Sequence, residues 1–416
     1  MKQRIWFVSE VFHPENEGAA YYISEIAFAA AREASVFALC TPPTYSHKGT
    51  SVPKRETCED VEICRCFSTK WNRHKMSGRL VNAATFCMSV FFHLLFRMKK
   101  GDIVVSTCYP PPVSFSTLLA AKLRRGKHVV YVMDIHPDMA VAAGMLKSKS
   151  FTVKMADRVN RWIYGSSDKV IVIGRDMKSY IETKFKASPD KIDSIPLFVD
   201  SDEIRPTDRK TNELLARHNI LDKFVIGVAG NIGAPHDAEA LLEAVRKTTD
   251  LEDLRFFVIG SGKRYDWLQD QVQKEGMNNI VFADRLPRSE ACLIANACDA
   301  AVSALFITGM FGLACPSRTG GILAAGKPLI ALIEPETELA ALIEEHQIGW
   351  RANPGDTPHF VQAVRDAYHT LHDEEQAEVI REKARAIAVE ELGKATILNR
   401  YLESMLHDFV KKQVRL

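Results

Sequence analysis

The chain has 416 residues, 46% hydrophobic and 25% charged, with a formal net charge of +2. This length predicts two domains, and the composition excludes a disordered or fibrous chain. The opening apolar run is too short before Glu10 to be a signal peptide. Nine cysteines without paired CxxC spacing predict neither a disulfide framework nor a structural zinc site. We therefore expect a cytoplasmic protein.

Charge is distributed unevenly along the chain. Residues 1–200 hold 29 Lys and Arg against 19 Asp and Glu, and the remainder holds 25 against 33. A basic first half favours an anionic partner, such as an anionic membrane surface or a phosphorylated acceptor; the alternative is that it only aids solubility. Nucleic acid is not an expected partner, because no interleaved aromatic and basic motif of a recognised nucleic-acid reader is present.

Short apolar strands alternate with helices in the first half, which predicts a parallel sheet covered on both faces. The predicted strands are Ile5–Val8, Ser35–Leu39, Ile103–Ser106, His128–Val132 and Lys169–Ile173, and helices include Ala20–Arg32 and Ser116–Arg124.

Leu80–Phe96 is a strongly apolar stretch that contains Asn82 and His93. It is at the short end for a membrane span. Basic residues flank it on both sides, including Arg79 and Arg97. We expect either a buried helix or a helix resting on an anionic membrane.

An irregular charged segment from Pro196 to Pro206 interrupts the alternation, which then restarts. The predicted elements of the second half are the strands Phe224–Ala229, Arg255–Ile259, Ile280–Phe282, Ala300–Ser303 and Pro328–Leu332 and the helices Ala238–Lys247 and Tyr265–Glu275. We predict a first domain over 1–200, a second over 201–390, and a last helix within 391–416 that packs on the first domain. Ligands of such sheets bind beyond the carboxyl ends of the strands.

Glycine-rich turns follow three predicted strands. Gly18 precedes the first helix, and a helix N-terminus there would face a phosphate; the alternative is a glycine that only permits the turn. Gly230-Asn231 ends one strand of the second half, and Ser261-Gly262-Lys263-Arg264 ends the next. Two such turns at equivalent places, the second with two cations, predict an anionic nucleotide.

A loop with Ser317 and Arg318 leads into a helix of small residues that ends at Gly326. Small residues allow a helix backbone to approach a ligand closely, and the helix N-terminus favours negative charge.

The sequence resembles the retaining glycosyltransferases of family 4, in the branch that builds bacterial surface polysaccharides. The resemblance covers almost the whole chain and depends on the order and spacing of FHPENEGAA, YVMDIHPDMAVAAG, SDKVIVIGRDMKSYI, IPLFVDSDEI, GVAGNIG, FFVIGSGK, PSRTGGILAAGKPLIA and PETELAALIEEHQIGW. It implies the GT-B fold: two Rossmann-like doubly wound α/β domains that face an interdomain cleft, with the C-terminal helix crossing back to the first.

The resemblance also implies partners and roles. The donor would be a nucleotide-diphosphate sugar held mainly by the second domain, without a metal or other cofactor, and the acceptor would be a saccharide or polyprenyl-linked saccharide at the inner face of the cytoplasmic membrane. Asp134 and His136 would position the acceptor. The expected donor-binding residues are Gly18, Gly230, Asn231, Ser261, Gly262, Lys263, Arg264, Ser317 and Arg318.

Several positions depart from the family pattern. Two glutamates are replaced by Leu313 and Gly321, the usual His-Asp pair is Met133-Asp134, and the basic residue that often follows GNxG is Ala234. These departures favour one alternative to a transferase, a non-catalytic sugar-nucleotide-binding protein. A second alternative is a sugar-nucleotide 2-epimerase on the same architecture, against which the PETELAALIEEHQIGW stretch and the PSR loop argue.

Two acidic patterns imitate metal sites. Asp200-Ser201-Asp202 matches a DxD signature but falls in the polar segment between the domains, where we expect a solvated turn. Asp134, His136 and Asp138 are spaced like a metal cluster, yet the resemblance makes Asp134 an acidic residue at the end of a strand. We predict no metal site.

Overall fold

A computed structural model describes residues 2–43, 52–72, 75–313 and 315–409. The chain forms two compact units. The first contains the described residues up to Pro196 and those from Leu398 onward, and the second is Leu197–Ile397. The chain therefore passes between units at 196/197 and 397/398, where the sequence predicts boundaries at 200/201 and 390/391.

The first unit is built on an eight-stranded sheet in the order β3-β4-β2-β1-β5-β6-β7-β8. Every pairing is parallel except that of β3 with β4. The strands are β1 (Arg4–Val8), β2 (Ser35–Cys40), β3 (Arg55–Cys58), β4 (Val61–Arg65), β5 (Ile103–Thr107), β6 (Lys127–Val132), β7 (Lys169–Val172) and β8 (Ile192–Ser194).

Helices connect these strands. Those of the first half of the chain are α1 (Ala19–Ala31), α2 (Met76–Arg97), α3 (Val113–Leu123), α4 (Asp138–Ala142), α5 (Phe151–Ser166) and α6 (Arg175–Phe185). All residues of β5 and β7 are buried, as expected for strands covered on both faces.

The second unit has a wholly parallel six-stranded sheet in the order β11-β10-β9-β12-β13-β14. Its strands are β9 (Phe224–Asn231), β10 (Leu254–Ser261), β11 (Ile280–Asp284), β12 (Ala300–Leu305), β13 (Leu329–Leu332) and β14 (Gly349–Ala352). The order reverses between β9 and β12, and ligands of open parallel sheets bind at such switch points.

The remaining helices begin with α7 (Glu213–Arg217), and the others are α8 (Ala238–Arg246), α9 (Lys263–Glu275), α10 (Ala291–Ala295), α11 (Gly309–Gly312), α12 (Arg318–Ala324), α13 (Glu338–His346), α14 (Thr357–His372), α15 (Glu374–Glu390) and α16 (Lys394–Leu402). Two Rossmann-like α/β units confirm the predicted fold class.

The C-terminal helix returns to the first unit, as the sequence predicts. Tyr401 is fully buried, and its hydroxyl lies 3.1 Å from that of Tyr131 in β6 and donates to the carbonyl of Ile195 at 3.2 Å. Ser404 donates to the Asp193 carboxylate at 2.6 Å. The sequence predicts this helix over Ala395–Val414, and residues 410–414 lie outside the described residues.

Candidate functional site

The two glycine-rich turns of the second unit lie side by side. β9 and β10 are adjacent parallel strands in which Gly230 is paired with Gly260 and Asn231 with Ser261. The N–H of Ile232 donates to the carbonyl of Ser261 at 2.9 Å, and the N–H of Arg264 donates back to the Ile232 carbonyl at 3.1 Å. The turns therefore form one hydrogen-bonded ledge at the carboxyl end of the sheet.

Glycine is required at two positions of this ledge. Gly230 has a φ of 124° and Gly262 a φ of 128°, which L side chains rarely adopt. A Cβ on Gly262 would lie 2.5 Å from the Ile232 carbonyl oxygen, and one on Gly230 would lie 2.5 Å from Nη1 of Arg318. Gly262 therefore lets the second turn approach the first turn closely. Gly230 lets the backbone approach the guanidinium of Arg318 closely.

Arg318 lies across the ends of β9 and β12. Its Nε donates to the Ser303 carbonyl at 2.9 Å, and its Nη1 donates to the Ala229 carbonyl at 2.8 Å. Burial lowers the pKa of its guanidinium to about 10, so the side chain stays charged at neutral pH. Within the described ranges, no carboxylate pairs with this cation. A fixed, unneutralised guanidinium at a topological switch point suits a phosphate.

His236 lies close to Arg318, and sequence reasoning did not identify it. Burial, and then the charge of Arg318, lower the pKa of His236 to about 4. Its Nδ1 lies 3.2 Å from the Gly233 nitrogen and 3.3 Å from the Gly233 carbonyl oxygen, and the low pKa keeps the ring neutral at physiological pH. Its place in the sequence, just before the N-cap Asp237 of α8, was the available signal.

The other predicted donor residues lie at the rim of the ledge. Lys263 and Ser317 are exposed at the first turns of α9 and α12. Arg264 pairs with Glu239 of α8, and its guanidinium lies 4.5 Å from the centre of the Trp267 ring. The phosphate role of Arg264 stays a prediction. Glu239 would compete with a phosphate for the Arg264 guanidinium.

Gly321, which replaces the second glutamate of the family pattern, has apolar surroundings. A Cβ on Gly321 would lie 3.2 Å from Cδ1 of Ile204, and one on the neighbouring Gly320 would lie 3.0 Å from Cβ of Val199. Helix α12 therefore packs closely against 199–204 of the same unit.

In the first unit, Asp134 and His136 occupy the loop that follows β6. The pKa of the Asp134 carboxyl is raised, because burial raises it more than the neighbouring His136 imidazole lowers it. The pKa of His136 is lowered, because burial lowers it more than the charges of Asp134 and Asp138 raise it. Asn160 donates to the His136 carbonyl at 2.5 Å and fixes this loop. The two side chains border a small cavity that is also lined by Cys108, Asn160 and Tyr164.

The carboxylate of Asp134 is available for a ligand, because no hydrogen-bond donor of the described residues reaches it. Asp138 differs: it accepts from the Tyr180 hydroxyl at 2.9 Å and from Lys184 Nζ at 2.5 Å. Asp138 is therefore part of the framework, and these contacts favour the interpretation of Asp134 and His136 as a binding pair over a metal cluster.

Two further predicted features have simple geometry. Gly18 is exposed, has a φ of 53° and precedes α1, and a Cβ there would meet nothing within 4 Å. Its phosphate role stays a prediction. Asp200 accepts from the N–H groups of Asp202 and Glu203 and from Lys394 Nζ at 3.2 Å. This is a local turn, as expected.

The structure thus brings Gly230, Asn231, Ser261, Gly262 and Arg318 together in the second unit, with Lys263, Arg264 and Ser317 at the rim. Gly18, Asp134 and His136 belong to the first unit.

Comparisons with known proteins assign both halves of the chain. A family model described as a glycosyl transferase 4-like domain matches residues 17–197, and one described as glycosyl transferases group 1 matches residues 223–370. A probable glycosyltransferase of Pseudomonas aeruginosa, WbjE, is 29% identical over 353 residues, which are 85% of this chain and 86% of that protein.

Two solved structures share the fold. Sucrose-phosphate synthase from Thermosynechococcus elongatus has a TM-score of 0.73 at 14% identity, covering 99% of this chain and 100% of that one. HepE from Anabaena, in complex with UDP and glucose, has a TM-score of 0.72 at 14% identity, covering 97% and 99%.

Proposed function

The chain belongs to the glycosyltransferases of family 4, which have the GT-B fold, and we propose that it transfers a sugar from a nucleotide-diphosphate sugar to a hydroxyl group with retention of configuration. The acceptor is a saccharide or a polyprenyl-linked saccharide, and the pathway is surface-polysaccharide synthesis. The protein works in the cytoplasm, at the inner face of the membrane.

The observation that supports this proposal most directly is the unpaired guanidinium of Arg318 beside the two glycine turns. Arg318 cannot relax away from the site, because two main-chain carbonyls hold it. A diphosphate placed on the ledge would meet a preorganised cation in a partly desolvated setting, where such interactions are strongest. HepE, which was captured with UDP and glucose, supports a nucleotide of this class.

In the proposed reaction, the bond between the sugar C1 and the diphosphate oxygen breaks while a bond from C1 to the acceptor oxygen forms on the same face. The proton of the acceptor hydroxyl passes to the departing phosphate oxygen. Stabilising the negative charge of the leaving diphosphate is the main catalytic task, and Arg318 would perform it without a metal or other cofactor.

Asp134 and His136 would orient the acceptor. The free carboxylate of Asp134 accepts a hydrogen bond from a sugar hydroxyl, and burial keeps His136 neutral, so that it offers one donor and one acceptor. Orientation of this kind lowers the barrier by holding the reacting oxygen near its target.

The test is a panel of nucleotide-diphosphate sugars with the full-length protein. We expect one class of donor to raise the melting temperature, since a ligand at 100 times its Kd adds about 2.7 kcal/mol of stability. Incubating that donor with candidate lipid-linked saccharides should then release the nucleoside diphosphate and form a product whose anomeric configuration matches the donor. Inversion of that configuration would contradict the proposed mechanism.

A non-catalytic sugar-nucleotide-binding protein is the second candidate. The environment of Gly321 favours it, because the position that usually offers a carboxylate to the ribose faces Ile204 instead. This candidate predicts that the donor binds, and that neither sugar transfer nor slow hydrolysis of the donor follows. Turnover that Arg318→Ala removes would exclude it.

An anionic membrane is the proposed surface partner. Met88, Phe92 and Phe96 of α2 are spaced four residues apart, and the structure leaves all three exposed. On α5, the exposed residues Phe151, Met155, Arg158 and Trp162 likewise share one face.

Helix α3 packs beside both α2 and α5. The ring centres of its Phe115 and of Trp162 are 5.2 Å apart. The α2 helix is long and apolar enough to cross a membrane by length and composition, but core helices and signal sequences pass the same test. Exposed aromatic residues interleaved with basic ones are typical of helices that lie in the interface of an anionic bilayer.

We expect binding to vesicles that contain anionic lipid, weakening as the salt concentration rises. Phe96→Ser with Phe151→Ser should lower the bound fraction, because each side chain is 77% exposed. The matched control is Val379→Ser with Val389→Ser, which changes exposed apolar residues of α15. Equal binding of both double variants, or equal binding to neutral vesicles, would contradict a membrane face on the first unit.

A further inference from the structure

Two thiols and an imidazole converge at the edge of the first unit, on the face of the sheet that α2 covers. Cys64 lies in β4, and Cys66 continues the strand, since its N–H donates to the Cys40 carbonyl at 2.7 Å. Residues two apart on a strand point to the same face. His93 comes from α2, and its ligand atom and the two sulfur atoms all lie within 4.8 Å of one another.

This geometry is close to that of a bound metal. Zinc lies about 2.3 Å from sulfur and about 2.0–2.1 Å from imidazole nitrogen, which places tetrahedral ligand atoms about 3.5–3.8 Å apart. The three side chains need to close by only about 1 Å to reach that arrangement.

The ligand types select the class of metal. The cluster offers two sulfurs and one nitrogen and contains no carboxylate. Thiolate and imidazole ligands suit zinc, cobalt and copper, whereas magnesium, calcium and manganese prefer oxygen. Two thiolates also neutralise a divalent ion, so the occupied site adds no net charge to a basic part of the chain.

We propose that Cys64, Cys66 and His93 form a binding site for a thiophilic divalent cation, namely Zn²⁺. The bound ion would tie β4 to α2. The surroundings favour a structural role. Cys66 is buried in the core cluster that packs under α2, and the ring of His93 stands edge-on to Trp6 at 5.9 Å. An ion there would fix α2, whose outer face is the proposed membrane surface, to the edge of the sheet.

The spacing Cys-x-Cys explains why sequence reasoning did not find this site. The usual zinc signature places two cysteines three residues apart in a turn, whereas here a strand supplies the pair and a helix 27 residues further along supplies the third ligand. Only the packing of α2 on β4 brings them together.

The test uses the full-length protein, stripped of metal and kept reduced with a phosphine. Titration with Co²⁺ should give one ion per chain, a sulfur-to-cobalt charge-transfer band and the visible bands of tetrahedral cobalt, all displaced by Zn²⁺. Cys64→Ser and His93→Gln should each weaken Zn²⁺ affinity by on the order of 100-fold. Cys292→Ser, which changes a half-buried cysteine of the second unit, should bind as the wild type does.

Saturating Zn²⁺ should also raise the melting temperature of the wild type and of Cys292→Ser, and leave that of Cys64→Ser unchanged. Cys64 and His93 are only partly buried, so these variants are expected to fold, which circular dichroism checks. Equal cobalt spectra and affinities in wild type, Cys64→Ser and His93→Gln would overturn the proposal. Absence of any thiolate charge-transfer band in the wild type would overturn it as well.

Discussion

The two units use the same place in the same kind of sheet for opposite chemistry. At the carboxyl ends of β9 and β12, the second unit holds the cation Arg318 on two main-chain carbonyls. At the carboxyl end of β6, the first unit holds the carboxylate of Asp134 beside His136. Among the described residues, neither Arg318 nor Asp134 forms a direct ion pair.

The difference indicates how two related units acquire different ligands. A parallel sheet offers its strand ends to a ligand whatever the ligand is, so the identity of the ligand depends on the few side chains placed there. A guanidinium fixed by backbone is suited to an anion, and a free carboxylate with a neutral imidazole is suited to sugar hydroxyls. The comparison predicts that a change at Arg318 affects the donor and a change at Asp134 affects the acceptor.

The largest expected effect follows from removing the cation. Arg318→Ala should weaken nucleoside-diphosphate binding by about 1.5–3 kcal/mol for each charged hydrogen bond lost, which is tenfold to more than a hundredfold in Kd. Calorimetric titration with a nucleoside diphosphate measures it. Arg318→Lys keeps the charge but cannot hold both strand ends, and should recover only part of the affinity. An unchanged Kd would mean that the charge of Arg318 serves the fold alone.

Next in size is the loss of the free carboxylate. Asp134→Asn keeps the shape of the side chain and removes its charge, so we expect kcat/KM for the acceptor to fall by about 100-fold. Affinity for the donor should stay the same, because Asp134 belongs to the other unit. Steady-state kinetics with each substrate varied in turn separates the two. A parallel loss of donor affinity would break the division of labour between the units.

A smaller expected effect tests where the phosphates bind in the second unit. Arg264 pairs with Glu239, so it must exchange that partner for a phosphate, whereas Lys263 is exposed at the first turn of α9. We expect Lys263→Ala to weaken nucleoside-diphosphate binding by about tenfold, one charged hydrogen bond at the low end of the usual range. Arg264→Ala should have less effect. The reverse order, measured by the same titration, would place a phosphate at Arg264.

The last expected effect concerns stability instead of substrate binding. His128 is buried in β6 among the hydroxyls of Ser106, Thr117 and Ser167, and burial lowers its pKa to about 3. The unfolded chain takes up this proton below about pH 6.5 and the folded chain does not, so stability is lost as the pH falls from 6.5 towards 3. At pH 5 the loss is about 2 kcal/mol.

Thermal denaturation at pH 7 and pH 5 tests this expectation. His128→Asn should show a smaller decrease in melting temperature over that interval than the wild type. His359→Asn, a change at a side chain that is 76% exposed, should behave as the wild type does. Equal decreases in all three would show that another group controls the acid sensitivity.

Much of the fold was predictable because most strands of both sheets are parallel and buried. Their strands are short apolar runs between helices, and the structure moves predicted ends such as Ser35–Leu39 by one residue, to Cys40. Strands β8 and β14 were missed, and so was strand β3. It is a charged edge strand of four residues, joined to β4 through Glu59 and Asp60, both at positive φ. A polar edge strand has no apolar periodicity to detect.

The candidate site was predictable only in part. Glycine turns are local, so Gly230 and Gly262 could be recognised from spacing. The ion pair of Arg264 with Glu239 joins two different helices, and the approach of Arg318 to Ala229 spans 89 residues. Contacts of that kind depend on how elements pack, which periodicity does not encode.

The assignment of Leu398 onward to the first unit has a consequence for the order of events during translation. The second unit is complete once residue 397 has left the ribosome. The first unit begins to emerge much earlier, yet Tyr131 lacks the ring and hydroxyl of Tyr401 until the last part of the chain appears. The unit that is synthesised first is therefore the one that finishes folding last, and a nascent chain arrested before Tyr401 would leave Tyr131 without these contacts.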